Sequence, residues 1–173
     1  MYSKIRFLLA ILFISLGVIL HVLQGIGSAW YLYLGGVIML LTHFLFGNVY
    51  QAFGQLKKGN LDEAETLIHQ IKQPDWLIKN HRAYYYFTLG MIAMQRKQPT
   101  FGEQHLKTAL QLGLRTETDN ALAAINIAHG KFVRKEFTAS NDYLNIAKTY
   151  QTDDLMIKEH LTKLEEALKD RLN

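Results

Sequence analysis

Residues 7–46 read FLLAILFISLGVILHVLQGIGSAWYLYLGGVIMLLTHFLF and contain no Asp, Glu, Lys or Arg. The stretch breaks once, at residues 24–28, and this leaves two apolar runs of similar length, 7–23 and 29–46. As a helix, each run would be about 26 Å long, close to the roughly 30 Å hydrocarbon core of a bilayer. Hydrocarbon offers the backbone no hydrogen-bonding partner, so each run should be helical. The sequence therefore predicts a two-helix transmembrane hairpin over residues 1–47.

The charges that flank this stretch predict its orientation. Lys4 and Arg6 precede the first run, Lys57 and Lys58 follow the second, and the connecting loop carries no charge. Basic residues are retained on the cytoplasmic side of a membrane. We therefore expect a multi-pass integral membrane protein with two spans and both termini cytoplasmic, with Trp30 at the far interface.

A cleaved signal peptide is the alternative interpretation of the first run. Two basic residues, an apolar segment and the small residues 27–29 have that form. However, the apolar run 7–23 is longer than the roughly 7–15 residues that are usual for such a signal. We favour the retained hairpin.

Small residues in the two runs predict how the helices pack. Folding the hairpin symmetrically about Ile26 brings Gly17 level with Gly35 and Ser15 near Val37. Small residues at matching depth allow close helix packing in a membrane. The predicted packing residues are Ser15, Gly17, Gly35 and Gly36. The alternative is that the glycines face lipid without packing against a helix.

Two histidines, His21 and His43, lie within the apolar runs. An ionisable group inside a membrane is a functional candidate by default. His21 is near the loop and His43 is near the opposite end of the hairpin, so the two cannot pair. We expect solvated, interfacial histidines rather than a proton relay.

The remainder of the chain is polar and nearly balanced in charge. All 15 acidic residues follow position 60, and all but two of the 19 basic residues follow the hairpin. The pI near 9.2 therefore gives no indication of nucleic-acid binding. The chain has no cysteine, which excludes disulfides and thiolate metal sites.

Residues 48–152 repeat with a fixed period of 38 in residue number. Equivalent positions are Ala52, Gly90 and Ala128; Ala64, Gly102 and Ser140; Ile68, Leu106 and Leu144; and Ile71, Ala109 and Ala147. Each unit predicts two helices, at 48–58 and 61–72, at 81–97 and 100–112, and at 118–134 and 137–150. A fixed internal period of this length is typical of a helical repeat array.

These units resemble the tetratricopeptide repeat. The clearest match is GNLDEA at residues 59–64, with Tyr86, Leu89, Gly90, Ala93, Leu106 and Ala109 in the middle unit and Ile127, Ala128, Phe137, Leu144 and Ala147 in the third. The period of 38 is longer than the usual 34 or so of that family. The resemblance implies an all-α solenoid of about three helical hairpins. A generic array of helical hairpins is the alternative.

The resemblance also implies a binding surface, because the first helix of each unit in that family lines a concave groove for a peptide or helix. The expected groove residues are Tyr50, Phe53, Lys57, Tyr84, Phe87, Thr88, Met91, Gln95, Ile125, Asn126, His129 and Val133. The alternative is that these residues are buried between helices or under the final helix, since core and groove stripes share one periodicity.

Residues 153–173 predict an amphipathic C-terminal helix. Ile157, Leu161, Leu164 and Leu168 recur at helical spacing, and charged residues fill the other face. A repeat array needs a terminal cap with one polar face. We favour a capping helix over a dimeric coiled coil, which would need a longer heptad run.

No catalytic motif or metal-ligand spacing is present in the sequence, and we expect neither an enzyme nor a cofactor. The resemblance implies a membrane-anchored scaffold or adaptor that binds a protein partner at the cytoplasmic face. The alternatives are a structural subunit that acts through its transmembrane hairpin and a subunit of a membrane transporter or enzyme.

Overall fold

The regular structure of the chain is entirely helical where it is described. The computed structural model describes residues 2–46 and 48–172, with the side chains of residues 2–4, 6, 43, 44 and 172 left aside. Within that part, nine α-helices and two short 3-10 turns, at Ile26–Ser28 and Pro74–Trp76, are found and no strand occurs. The helices are α1 (Tyr2–Gln24), α2 (Trp30–Phe46), α3 (Val49–Lys57), α4 (Leu61–His69), α5 (Lys79–Gln95), α6 (Pro99–Leu112), α7 (Glu117–Val133), α8 (Phe137–Thr149) and α9 (Leu155–Leu172). The all-α prediction is confirmed.

Helix α1 is the one described helix that is long and apolar enough to cross a membrane. Its segment Phe7–Gln24 has a mean hydropathy of 2.5, and only 11% of it is buried inside the protein. Helix α2 is shorter, at 17 residues, and its apolar segment spans Trp30–Thr42. The two helices pack against each other across the turn at Ile26–Ser28.

The packing of α1 on α2 differs from the expected glycine pairing. A Cβ atom added to Gly17 would lie 3.1 Å from a ring carbon of Tyr33, and one added to Gly35 would lie 3.0 Å from a ring carbon of Phe13. A Cβ at Gly36 would lie 2.7 Å from Ile14, while Ser15 is exposed. Each glycine therefore accommodates a large side chain of the other helix, because a ring or branched chain fills the space that a missing Cβ leaves. The atoms nearest to a Cβ at Gly17 belong to Tyr33 and Leu32, and those nearest to a Cβ at Gly35 belong to Phe13.

Of the two histidines in the apolar runs, the structure describes the side chain of His21. Nδ1 of His21 lies 3.3 Å from the Tyr33 hydroxyl oxygen, near the loop end of the hairpin. This contact is exposed. The side chain of His43 lies outside the described part of the chain.

Helix boundaries reproduce the 38-residue period of the sequence. Helices α4, α6 and α8 begin at residues 61, 99 and 137, and helices α5, α7 and α9 begin at 79, 117 and 155. The period therefore extends into α9, which occupies the place of a first helix in a fourth unit. Helices α3 and α4, α5 and α6, and α7 and α8 pack as successive pairs.

The turn inside each pair also repeats. Gly59, Lys97 and Lys135, which are spaced by one period each, have left-handed φ angles of 80°, 60° and 64°. After each, an amide bonds a carbonyl five residues earlier, at 2.9 Å (Asn60 to Gln55), 2.9 Å (Gln98 to Ala93) and 3.0 Å (Glu136 to Lys131). This pattern is a Schellman C-cap, which satisfies the last carbonyls of a helix. The two lysines adopt a conformation that is uncommon without glycine.

The predicted small and apolar repeat positions form the seam inside each pair. Ile68, Leu106 and Leu144 are all fully or almost fully buried. The small positions are buried as well, and the polar member Ser140 is satisfied because its hydroxyl donates to the Ala128 carbonyl at 2.7 Å. A Cβ at Gly102 would lie 3.1 Å from the Gly90 carbonyl oxygen, which shows how closely α5 and α6 approach.

Helix α9 packs on α7 and α8. Ile157 joins a buried cluster with Ala124 and Ile125, and Leu164 and Leu168 join another around Leu144. The apolar stripe of α9 therefore covers the third helical pair. Helix α4 ends at His69 rather than at the expected residue 72, since the chain then turns through Pro74–Trp76 to bury Leu77.

Candidate binding groove

The first helices of successive pairs line an open groove. Two adjoining cavities of about 560 and 440 Å³ lie along α7, and both are lined by Asn126 and His129. The larger lies between α5, α7 and α9, and the smaller lies beside the C-terminal end of α5. We call this surface the α5–α7–α9 groove. Its remaining lining residues are Met91, Leu122, Ile125, Phe132, His160, Lys163, Leu164 and Ala167, together with Met94, Gln95, Lys97, Pro99, Gly130 and Val133.

Half of the expected groove residues line these cavities. They are Met91, Gln95, Ile125, Asn126, His129 and Val133. Tyr50, Phe53 and Lys57 lie on α3, outside both cavities, and Lys57 places its ammonium group 4.5 Å from the centre of the Phe53 ring.

Three expected groove residues are buried instead. Tyr84, Phe87 and Thr88 are 3%, 1% and 0% exposed. The Tyr84 ring lies 5.3 Å from that of Tyr50 and 5.1 Å from that of Phe53, and the Phe87 ring lies 5.7 Å from that of Phe53. These aromatic pairs join α3 to α5, so Tyr84 and Phe87 fill the junction between the first two helical pairs. Both side chains are covered by α3 and not by the final helix.

A buried hydrogen-bond network fixes α5 against the start of α7. The Tyr84 hydroxyl donates to Oδ2 of Asp119 at 2.5 Å, and the Thr116 hydroxyl donates to the same oxygen at 2.7 Å. The Asp119 amide in turn donates to Thr116 Oγ1, which caps α7. Burial, reinforced by the Asp119 carboxylate, raises the pKa of Tyr84, so the phenol remains a donor. This network sets the separation of two helices that line the groove.

A charged network joins α6 to the end of α7. Glu103 is buried and accepts from Lys107 at 2.6 Å and from Lys131 at 3.1 Å, and it also pairs with Arg134. Burial alone would raise the pKa of Glu103, but hydrogen bonds from these three cations lower it below its usual value. Hydrogen bonds from Lys131 and Arg134 also hold the pKa of Glu136 down to about 2.

This ion pair also follows the repeat. Glu65 and Glu103 are one period apart, as are Arg96 and Arg134, and Arg96 pairs with Glu65 at 2.9 Å. Each pair therefore links the second helix of one unit to the end of the first helix of the next. Sequence reasoning missed these pairs, although the period applied to charged positions would have found them.

Helix α9 forms a wall of the groove rather than filling it. His160, Lys163, Leu164 and Ala167 face the larger cavity. Of these, Leu164 and Ala167 stand one period after Asn126 and His129. The apolar stripe of α9 indicated a cap and gave no sign of this wall. Continuing the period through residue 172 would have placed it.

The chemistry of the groove is apolar and basic. Among the described residues that line the two cavities, Lys97, Lys163, His129 and His160 are basic and none is acidic. In the part of the chain that the structure describes, no group of three or more His, Cys, Asp or Glu side chains could hold a metal ion. Such a lining offers apolar contact and positive charge to a bound molecule.

Comparison of the chain with protein-family models, with curated proteins and with solved structures finds no match.

Proposed function

We propose that this protein is a membrane-anchored, tetratricopeptide-like scaffold or adaptor that binds a segment of a partner protein in the α5–α7–α9 groove. The observation that carries the proposal is the groove itself: two adjoining cavities, of about 560 and 440 Å³, run along α7 and remain open between three packed helices. First helices that line a common concave surface are the arrangement by which solenoid repeats bind extended or helical segments.

The lining chemistry narrows the class of partner. Met91, Leu122 and Phe132 supply adaptable apolar contact, which suits protein segments. Asn126 lies where the two cavities meet and has its side-chain amide partly buried, donating to the Leu122 carbonyl at 2.8 Å. Lys163 in the larger cavity and Lys97 in the smaller one favour acidic groups by charge complementarity. The partner segment we propose is therefore apolar with flanking Asp or Glu.

The anchor we propose is a two-span hairpin with both termini in the cytoplasm. Outward-facing apolar side chains support it on α2 as well as on α1, since Trp30, Leu34, Ile38 and Leu41 are all exposed. Water would disfavour so large a continuous apolar surface. At 17 residues, α2 is about 26 Å long, which a bilayer accommodates by local thinning or by flanking residues.

Reporter fusions test the topology. A reporter that is active only in the cytoplasm, fused after Asn173, should be active, and a tag inserted at Gly27 should react with impermeant reagents from the far side. An inactive C-terminal reporter with a protected loop tag would refute the proposed orientation.

Site-specific photo-cross-linking in native membranes tests the groove. A photoreactive residue at His129 should yield a protein adduct, and the matched position Ile146, exposed on α8 outside the cavities, should not. Lys163→Glu should abolish the adduct from position 129 by reversing the charge of the groove wall. A third photoreactive probe, at Leu12 in α1, tests whether a partner instead contacts the hairpin. Adducts from Leu12 alone would favour a structural subunit that acts through its hairpin.

A further inference from the structure

The loop before α5 is tied to the end of α2. The Ile78 amide donates to the Leu45 carbonyl at 3.3 Å, and the ring of His81 lies 4.9 Å from the ring of Phe46. The loop is also attached to the repeat region, because Leu77 is buried in the core of that region. The residues next to Leu77 are therefore held beside the last turn of the apolar hairpin.

Two large apolar side chains of this loop are nevertheless exposed. Trp76 is 56% exposed and Ile78 is 40% exposed, on either side of the buried Leu77. The exposed Lys79 follows directly, and Arg82 lies 4.0 Å from Asp75 across the loop. The loop thus combines an indole ring, an aliphatic side chain, the Asp75 carboxylate and the Lys79 ammonium group, with Arg82 of α5 beside that carboxylate.

The length of α2 sets the depth of this loop in a membrane. From Trp30 to Leu45 the helix rises by about 22 Å, which is less than the roughly 30 Å of bilayer hydrocarbon. With Trp30 at the far interface, the Leu45 carbonyl lies about 8 Å short of the near edge of a roughly 30 Å hydrocarbon core, and the local thinning proposed for the hairpin brings that edge to the carbonyl. The Ile78 amide, which bonds to that carbonyl, would then lie at the boundary between acyl chains and headgroups, and Trp76, two residues before Ile78, lies within about 7 Å of it along the chain.

From these contacts we infer that residues 74–79 form a third membrane contact, with Trp76 and Ile78 inserted into the cytoplasmic headgroup region beside α2. The inference rests on the proposed hairpin anchor. Indole rings favour this region because they present both an apolar body and a polar N–H group. Lys79 and Arg82 would then face the anionic lipids of the cytoplasmic leaflet. This contact would fix the solenoid, and hence the groove, relative to the bilayer plane.

The two tryptophans of the chain, Trp30 and Trp76, allow a direct test in the full-length protein. The variant Trp30→Phe leaves Trp76 as the reporter, and the variant Trp76→Phe leaves Trp30. Both are reconstituted into vesicles of mixed zwitterionic and anionic lipid that carry bromine either near the headgroup or deep in the acyl chain. A matched control is the double variant Trp30→Phe and Trp76→Phe with Phe101→Trp, which places the indole at an exposed position on α6.

Trp76 emission should be quenched more by shallow than by deep bromine and protected from aqueous iodide, whereas the indole at 101 should respond to iodide alone. Trp30 should also be quenched by shallow bromine, because it reports insertion of the hairpin. Quenching of Trp30 without quenching of Trp76 would overturn the loop contact and leave the anchor intact. Absence of lipid quenching for both would overturn the anchor as well. Equal lipid quenching at 101 would overturn a contact specific to this loop.

Discussion

Replacing Gly90 with alanine should destabilise the repeat region, although alanine is the better helix former. Gly90 lies in the middle of α5, and a Cβ there would fall 2.6 Å from Cγ of Leu106 and 3.0 Å from its backbone nitrogen. Side-chain motion can relieve the first contact, but the second involves backbone. Helices α5 and α6 would have to separate, although the equivalent positions in the other units, Ala52 and Ala128, already hold alanine.

Two opposing effects determine how much Gly90→Ala lowers the free energy of unfolding. An extra methyl group in a closely packed seam costs about 1–3 kcal/mol, and the backbone contact favours the upper end. Alanine regains about 1 kcal/mol of helix propensity. The free energy of unfolding should therefore fall by about 2 kcal/mol, and Tm by about 5 °C for a chain of this size.

Denaturant unfolding of the full chain in detergent, followed by circular dichroism, measures this loss. Gly54→Ala is the matched control, since Gly54 lies within α3 and a Cβ there meets nothing within 4 Å. It should stabilise by about 0.5–1 kcal/mol. In a double-mutant cycle, Leu106→Ala should cost less in the Gly90→Ala background than alone, because the added methyl partly fills the cavity. Additive effects, or a Gly90→Ala protein as stable as the parent, would refute the close α5–α6 contact.

Two substitutions in the buried networks and one truncation of the final helix test other contacts. Glu103→Gln should lower the free energy of unfolding at neutral pH by about 2 kcal/mol. Folding lowers the pKa of Glu103, so this carboxylate stabilises the fold above its usual pKa of 4.5 and ceases to do so as the pH falls below that value. The Tm of the Glu103→Gln variant should therefore decrease less on acidification than the Tm of the parent protein. Tyr84→Phe should cost about 1–3 kcal/mol in urea titrations, since it removes a hydrogen bond to the buried Asp119; an unchanged midpoint would contradict the network. Ending the chain after Thr152 should lower Tm, because it removes Ile157, Leu164 and Leu168, whose burial is worth roughly 1.5–3 kcal/mol each. A truncated protein with the parent Tm would reject the cap.

The repeat could be predicted in detail because its signal is local and recurs. Each unit requires small residues where helices approach and a large aliphatic residue between them, so the regular spacing of Ile68, Leu106 and Leu144 indicated both the helices and their seams. The predicted helix starts fall within two residues of the observed ones. Left-handed turns at Lys97 and Lys135 carry no such signal, since lysine rarely adopts that conformation.

The candidate groove was predicted only in part, because sequence periodicity identifies a helix face without identifying what covers it. The aromatic residues Tyr84 and Phe87 share a face with Met91, yet α3 covers the first two and leaves Met91 in the cavity. Whether aromatic side chains on such a face are buried depends on the helices of the neighbouring unit. In the hairpin, depth alone likewise suggested that Gly17 meets Gly35, whereas packing is decided by which large side chains fill the space at each glycine.

The period also explains how the hairpin joins the repeats. Moving α5 (Lys79–Gln95) back by one period gives 41–57, a span that the structure divides between the last turn of α2 and all of α3. Phe46 is then the counterpart of Tyr84, and His81 is the counterpart of Asp119. Phe46 contacts His81 at the position where Tyr84 contacts Asp119 one period later. The first contact is between two rings and the second is a hydrogen bond, and each links one first helix to the next. The last turn of α2 thus serves both the hairpin and the first repeat. Because those residues cannot move in one without moving in the other, the orientation of the hairpin, our proposed anchor, determines the direction in which the groove faces.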